Sequence, residues 1–302
     1  MAILMSSTPH DFAASDPDRA TNAIDSGLYI VATPIGNLAD LSQRAIALFR
    51  AADIVAVEDS RVTGKLLNHI GLKKRMRPYH DHSSERDRED LLAAAQNGVV
   101  VLVSDAGTPL ISDPGYKLVR AAREAGIAVY TAPGPSAAIA ALSISGLPTD
   151  RFLFAGFLPS KAKARADVLA ELGDVKSTLV FYESGPRLGA SLAAMADVLG
   201  NRDAAVAREL TKRYEEVVCG GLVDLAARYA DEEPKGEIVV VIGPPAEKPA
   251  ETGDVDAALR EALETLPVSK AAGQIAKRFG LDRSDVYARA TVIKSSAIKS
   301  SQ

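Results

Sequence analysis

Val99–Gly115 reads VVVLVSDAGTPLISDPG. The first five residues are apolar, four of them valine, and they lie between Gly98 and Ser104. A strand buried on both faces has this pattern. The run then breaks into a loop holding Asp105, Gly107, Pro109, Asp113, Pro114 and Gly115. That is more than a turn of the chain requires. It points to exposed backbone at the carboxyl end of a parallel strand, where open α/β sheets bind ligands. The plainer alternative is an ordinary strand-to-helix connection with Pro114 in the first helical turn.

Outward from this stretch, strand and helix patterns alternate. Strands are expected at 27–33, 53–59 and 128–132, and helices at 41–52, 63–72, 85–97, 115–125 and 137–146. This spacing argues for a mostly parallel, wound sheet. GLPTD (146–150) reads as a linker, and RFLFAGF (151–157) opens a second α/β half. That half has strands at 177–184, 203–211, 215–221 and 236–243, and helices at 161–173, 187–200 and 222–230. PPAEKPAETGD (244–254) reads as a linker to a helical tail. The expected organisation is a disordered lead-in over 1–26, domains over 27–146 and 151–245, and a tail over 255–302.

At 302 residues, with 47% hydrophobic and 25% charged, the composition is that of a soluble globular protein. No apolar run is long enough to span a bilayer, and the amino terminus lacks the basic start of a signal peptide. The single Cys219 excludes an intramolecular disulfide and any multi-cysteine metal site. It fits a cytoplasmic location and reads as a small buried residue. The net charge of −4 hides an asymmetry, because residues 265–302 carry seven Lys or Arg against two Asp. Any nucleic-acid footprint must therefore be local. Within the tail, Ala272, Ile275, Ala276 and Phe279 have helical spacing, Gly280 ends that helix, and Ser284 can cap the next. Two short helices around a tight turn suggest a helix-turn-helix, either docking on RNA or packing as a hairpin.

Other polar groups are less specific. His80 and His82 lack a recognisable third metal ligand, so no metal is expected. Lys73, Lys74, Arg75, Arg77, Lys161, Lys163 and Arg165 are the available phosphate contacts or simply solvated faces. Arg208, Glu209, Lys212, Arg213, Glu215 and Glu216 are mixed enough in sign to suggest salt bridging.

Five Gly-, Pro- or small-residue loops follow apolar strands: Thr33–Asp40, Asp105–Gly115, Pro133–Ser136, Glu183–Arg187 and the approach to Gly236. None is a P-loop, and no GxGxxG follows the first strand. Loops that offer backbone groups but few cations suit a ligand with an adenine edge, a ribose diol, an amino acid zwitterion and a sulfonium.

The ordered segments TPIGNLADLSQRA, VEDSR, SDAGTPLISDPG, APGPSA, FYESGPR, ARELTKRYEE and KGEIVVVI resemble one group of the tetrapyrrole methylase superfamily. That group comprises small-subunit (16S) ribosomal RNA methyltransferases acting on a cytidine ribose 2′-hydroxyl. The resemblance covers about Gly27 to Pro245. It implies an α/β fold of two domains, distinct from the Rossmann-like methyltransferases, with S-adenosylmethionine between them and usually a homodimer. A substrate of 16S rRNA or the small ribosomal subunit is implied, with neither membrane nor DNA as partner. Carried over residue by residue, the resemblance places Pro34, Gly36, Asp105, Ala106, Gly107, Ile111, Pro133, Ser136 and Ala137 along the cofactor. From the second half it adds Tyr182, Glu183, Leu210, Glu237 and Ile238. Glu58, Asp59 and Arg61 are expected at the cleft mouth, with Asp59 and Glu183 as candidate bases for the ribose proton. The first loop, TPIGNLAD, departs from the GxGPGD-like loop of small-molecule tetrapyrrole methylases, which favours the RNA group. A tetrapyrrole methylase and a non-catalytic RNA-binding or assembly protein are the alternatives.

Overall fold

The computed structural model describes residues 24–80, 82–246 and 252–299. The chain forms two compact units that meet in sequence between Pro245 and Ala246. The expected lead-in lies almost wholly outside the described residues.

The larger unit contains two five-stranded sheets. In the first, strands β1 (Gly27–Val31), β2 (Ile54–Val57), β3 (Met76–Pro78), β4 (Val99–Val103) and β5 (Val129–Ala132) lie in the order β3-β2-β4-β1-β5. Every pair is parallel. All five residues of β4 are buried, as its unbroken apolar run requires. Val99, Val101 and Val103 pack with α1 (Gln43–Ala51) and α2 (Ser60–His69) on one face. Val100 and Leu102 pack with α3 (Glu85–Asn97) and α4 (Tyr116–Glu124) on the other. Truncating Leu102, which is 1% exposed, to Ala should cost about 2–5 kcal/mol.

Strands β1 and β4 are neighbours, yet their outgoing connections run to opposite sides of the sheet. The chain leaves β1 towards β2 and leaves β4 towards β5, so a crevice opens at their carboxyl ends. The short α5 (Ala137–Ile144) follows β5 and carries the chain to the second sheet.

The second sheet has the order β6-β7-β10-β8-β9, built from β6 (Phe152–Phe157), β7 (Thr178–Ser184), β8 (Asp203–Arg208), β9 (Glu216–Gly221) and β10 (Glu237–Ile242). Only β6 and β7 pair in parallel, and the remaining pairs are antiparallel. The mostly parallel reading therefore describes the first sheet and not the second, where β8 and β9 are joined directly without a helical crossover. One face packs on α6 (Ala162–Leu172), α7 (Gly185–Leu199) and α8 (Leu222–Arg228) through Leu179, Phe181 and Val240. The other face packs through Val180, Val239 and Val241 on Ala138, Ala141 and Leu142 of α5, and on Ile35.

Several local expectations change. The polar segment after α2 contains β3, an edge strand too short and too charged to show periodicity. Strand β8 ends at Arg208 because Glu209 and Thr211 take positive φ values of 50° and 65°. Cys219 is exposed on edge strand β9, with its thiol directed at the Ser145 carbonyl.

The tail unit contains α9 (Thr252–Thr265), α10 (Val268–Phe279) and α11 (Arg283–Lys299). Val255, Leu259, Ala272, Ile275, Val286 and Ala290 form its own core. Helix α9 begins inside the stretch expected to be a linker. Gly280 stops α10 in the left-handed conformation, as expected. The cap before α11 is Asp282, which accepts from the Ser284 N–H and hydroxyl; Ser284 belongs to the first turn.

Candidate active site

A cleft of about 400 Å³ opens within the larger unit, between the strand-end loops of the first sheet and the β7–β10 edge of the second. Its first wall is built at the β1–β4 switch point. Thr33 and Gly107 exchange backbone hydrogen bonds of 2.8 and 3.0 Å and tie the two diverging loops together. Gly107 has φ +78°, which a side chain adopts only with strain. The Thr108 hydroxyl donates to the Pro135 carbonyl at 3.0 Å and adds the loop after β5. The Asp59 N–H donates to Asp105 Oδ1 at 3.0 Å, and the Asp105 N–H points at Glu58 Oε2 at 3.4 Å. The ends of β2 and β4 thus hold each other through paired carboxylates and amides.

The second wall comes from Phe157, Tyr182, Leu210 and the segment Gly236–Val239. Alternation along β7 aims Tyr182 at α5, where its hydroxyl accepts from the Ala138 N–H and meets the Ser136 side chain. Burial raises its pKa. Lys212 Nζ bridges Glu209 at 2.7 Å and Glu237 at 2.9 Å. The Lys212 stem presses on Gly36 of the first-sheet loop, so closely that any side chain at position 36 would collide with it.

Of the residues expected at the cofactor, Asp105, Ala106, Gly107, Ile111, Ala137, Tyr182, Leu210, Glu237 and Ile238 line the cleft, together with Glu58 and Glu183. Pro34, Gly36, Pro133 and Ser136 lie outside the lining, in the loops that support it. Asp59 and Arg61 also lie outside it. Asp59 caps α2 by accepting from the Arg61 N–H at 2.8 Å and pairs with the Arg61 guanidinium at 2.5 Å. That guanidinium and the backbone N–H hold its pKa down to about 2. So acidic a carboxylate is poorly matched to removing a hydroxyl proton at neutral pH.

Glu183 is equally ill placed to act as a base. Alternation along β7 turns its side chain towards α7, where it is 1% exposed. Oε2 accepts from the Ser191 hydroxyl at 2.5 Å, Oε1 accepts from the Ser184 N–H at 2.9 Å, and Arg187 Nε lies 3.3 Å away. Glu183 borders the cleft while bracing the start of α7.

Sequence reasoning did not single out Ile35, Thr108, Ser112, Asp113, Phe157, Ser184 or Val239 as lining residues. Asp113 stands inside the opening stretch, but a carboxylate before Pro-Gly reads as turn chemistry. Burial, and then the Glu58 and Asp105 charges, push its pKa up to about 6, against a hydrogen bond with Ser104. Burial also raises the Asp105 pKa.

The lining contains five carboxylate residues and no Lys or Arg. A nucleoside with a cationic centre fits these walls: apolar surface for the ring system, backbone groups for its edges, and carboxylates for the positive charge. Phosphate does not fit them. Among the described residues no group of three His, Cys, Asp or Glu side chains gathers to hold a metal. Among the described residues, no helix is long and apolar enough to cross a membrane.

Two of the candidate phosphate contacts are engaged elsewhere. Lys74 Nζ donates to the Arg50 and Ala52 carbonyls at the end of α1, and Arg77 pairs with Asp90 at 2.9 Å. Salt bridging in the Arg208–Glu216 cluster runs within the second sheet, with Arg208 3.0 Å from Glu216.

Residues 27–226 match the profile of the Tetrapyrrole (Corrin/Porphyrin) Methylases, and residues 249–294 match that of the RsmI C-terminal HTH domain. The chain is 55% identical over 277 residues to the ribosomal RNA small subunit methyltransferase I of Erythrobacter litoralis, covering 92% of this chain and 99% of that protein. It is 47% identical to the protein of the same name from Escherichia coli O157:H7, over 86% of this chain and 93% of the relative. Among solved structures, a diphthine synthase superposes with a TM-score of 0.56 at 17% identity, covering 72% of this chain and 89% of that one. The uroporphyrin-III-C-methyltransferase of Thermus thermophilus gives 0.52 at 22% identity, covering 72% and 94%.

Proposed function

The chain belongs to the Tetrapyrrole (Corrin/Porphyrin) Methylases, and from that premise we propose that it methylates the ribose 2′-hydroxyl of a cytidine in small-subunit ribosomal RNA. The methyl donor is S-adenosylmethionine, which when bound supplies a methyl group on a positively charged sulfur. The observation that carries the substrate class is similarity across both units to proteins named as small-subunit rRNA methyltransferases. The cleft supports the cofactor, because its carboxylates favour a cation and its backbone-rich loops replace the phosphate cradle of other nucleotide folds.

In this reading the two sheets are two domains, 27–146 and 151–245, with the cofactor between them. Asp105, Ala106, Gly107, Ile111 and Ala137 hold it from one side, and Tyr182, Leu210, Glu237 and Ile238 from the other. Pro34, Gly36, Pro133 and Ser136 position those loops. Much of the rate comes from aligning the ribose oxygen with the methyl carbon and sulfur. The acidic cleft repels phosphate, so the RNA backbone is gripped elsewhere, and the basic tail is the favoured grip. The protein works in the cytoplasm as a homodimer. Ile139 and Ile144 on α5, 50% and 48% exposed, offer apolar surface for the contact.

The deciding experiment maps 2′-O-methylation in small-subunit rRNA from cells with and without this protein. Loss of one ribose methyl group, at a cytidine, is expected. Identical maps would overturn the reading, and labelled methyl entering a tetrapyrrole instead of RNA would favour the small-molecule alternative.

A further inference from the structure

We propose that Asp113 is the catalytic base of this site, receiving the proton of the ribose hydroxyl as the methyl group is transferred. The inference rests on the ribose reading above and adds the residue that the chemistry needs.

The cleft offers several carboxylates, and their partners separate them. Glu237 pairs with Lys212 at its exposed rim. Glu183 is turned into the α7 contact. Asp105 and Glu58 take the backbone amides that hold β2 and β4 together. Asp59 is outside the lining, in its fork with Arg61. Asp113 lines the cleft, is half-buried, and has a neutral hydroxyl, Ser104, as its hydrogen-bond partner. The Ser104 hydroxyl lies between Asp113 and the Ala106 carbonyl, 3.1 Å from the latter, and its hydrogen bond to Asp113 favours the ionised carboxyl that must take the proton.

The loop holding Asp113 is fixed rather than loose. Leu110 and Ser112 are held at φ 74° and 65°. Across the cleft, Ser112 lies against Gly156 of β6, where a Cβ would come within 3.1 Å of its hydroxyl. The charged and titratable groups facing Asp113 are Glu58 after β2, Asp105 after β4 and Tyr182 on β7, with no cation among the lining residues. A carboxyl in such surroundings accepts protons near neutrality, as a base for a hydroxyl requires.

The step balances. The ribose O–H bond breaks and its proton goes to an Asp113 carboxylate oxygen. The oxygen's electron pair forms the bond to the methyl carbon, while the carbon–sulfur bond breaks and its pair stays on sulfur. Asp113 then returns its proton to solvent.

The test uses the full-length protein and four readouts. Carbon-13 NMR of aspartate-labelled, cofactor-free protein should show one carboxyl titrating near pH 6. That signal should vanish in Asp113→Asn and move to lower pH in Glu58→Gln, which removes a neighbouring negative charge. Single-turnover methylation of small-subunit rRNA at saturating cofactor should fall at least 100-fold in Asp113→Asn. The wild-type rate should rise with pH through a midpoint at or below that one, because the bound sulfonium favours the carboxylate, and Asp113→Glu should keep that rise at a lower rate. S-adenosylmethionine affinity by calorimetry should fall less than about tenfold in Asp113→Asn, because four of the five lining carboxylates remain. Because a raised carboxyl pKa disfavours the folded state once the group ionises, Asp113→Asn should raise Tm above pH 6 and leave it unchanged below pH 4.

Methylation retained within threefold, a carboxyl midpoint near 4, or lost cofactor binding with an unchanged saturated rate would each overturn the assignment. So would a lowered Tm in Asp113→Asn. Methyl groups found on a base rather than a ribose would refute the ribose reading. A ribose product with unaffected Asp113→Asn turnover would refute only the role of Asp113.

Discussion

The cleft of the larger unit and helices α10 and α11 of the tail unit are opposites in charge. The cleft is lined by Glu58, Asp105, Asp113, Glu183 and Glu237 with no Lys or Arg. The tail holds an apolar three-helix core and places exposed Lys277 and Arg278 at the end of α10, beside Gly280. A polyanion is repelled by the first and drawn to the second, whereas a cationic nucleoside behaves in the opposite way. On the proposed function, the contrast assigns donor binding and acceptor binding to separate surfaces, each tuned against the other's ligand. The modest net charge of −4 conceals both.

This division can be broken from either side. Ala106→Lys puts a cation into the cleft wall. S-adenosylmethionine affinity should fall about 100-fold by calorimetry while RNA affinity stays within twofold. Comparable losses in both would mean that the two surfaces are not independent. Lys277→Glu with Arg278→Glu should reverse the pattern. RNA affinity should fall about tenfold and the slope of log affinity against log salt should flatten by about two, with the cofactor unaffected. An unchanged slope would move the RNA grip away from the tail. Thr211→Gly sharpens the picture of the second wall. Thr211 is β-branched, has φ 65°, and buries a hydroxyl that lacks a hydrogen-bond partner. Glycine relieves both, so Tm should rise by about 2–4 °C. Cofactor affinity should fall by about threefold, because Leu210 is held less firmly. The smallest effect belongs to Asp59, whose lowered pKa marks a stabilising contact formed by the charged form. Asp59→Ala should lower Tm slightly at pH 7, and the difference should fade as pH drops through 3.8 to about 2.

The first sheet was legible because a parallel sheet covered on both faces demands runs such as VVVLV, and here such runs alternate with helical patterns at the spacing of parallel crossovers. The second sheet was legible as strands but not in their directions, since an apolar run such as GEIVVVIG has no mark for parallel or antiparallel pairing. β3 was lost because an edge strand of three residues has no room for a pattern. In the site, loops rich in Gly and Pro gave the first wall, and the family resemblance gave most of the second. Side-chain direction was beyond reach. Glu183 and Tyr182 are adjacent, yet the pleat sends one to α7 and the other to α5. Asp59 and Asp113 are both aspartates at strand-end loops, and only the fold distinguishes the helix cap from the half-buried carboxyl.

The absence of cations from the cleft lining also bears on turnover. With the proposed donor in this cleft, loss of the methyl group leaves a neutral thioether, and the carboxylates around it no longer face a positive sulfur. A wall of this kind holds the fresh donor more firmly than the spent one, by an amount that grows as water is excluded. On that reading product inhibition is weakened without any moving part. Exchange of donor for product is then driven by the same chemistry that consumed the donor.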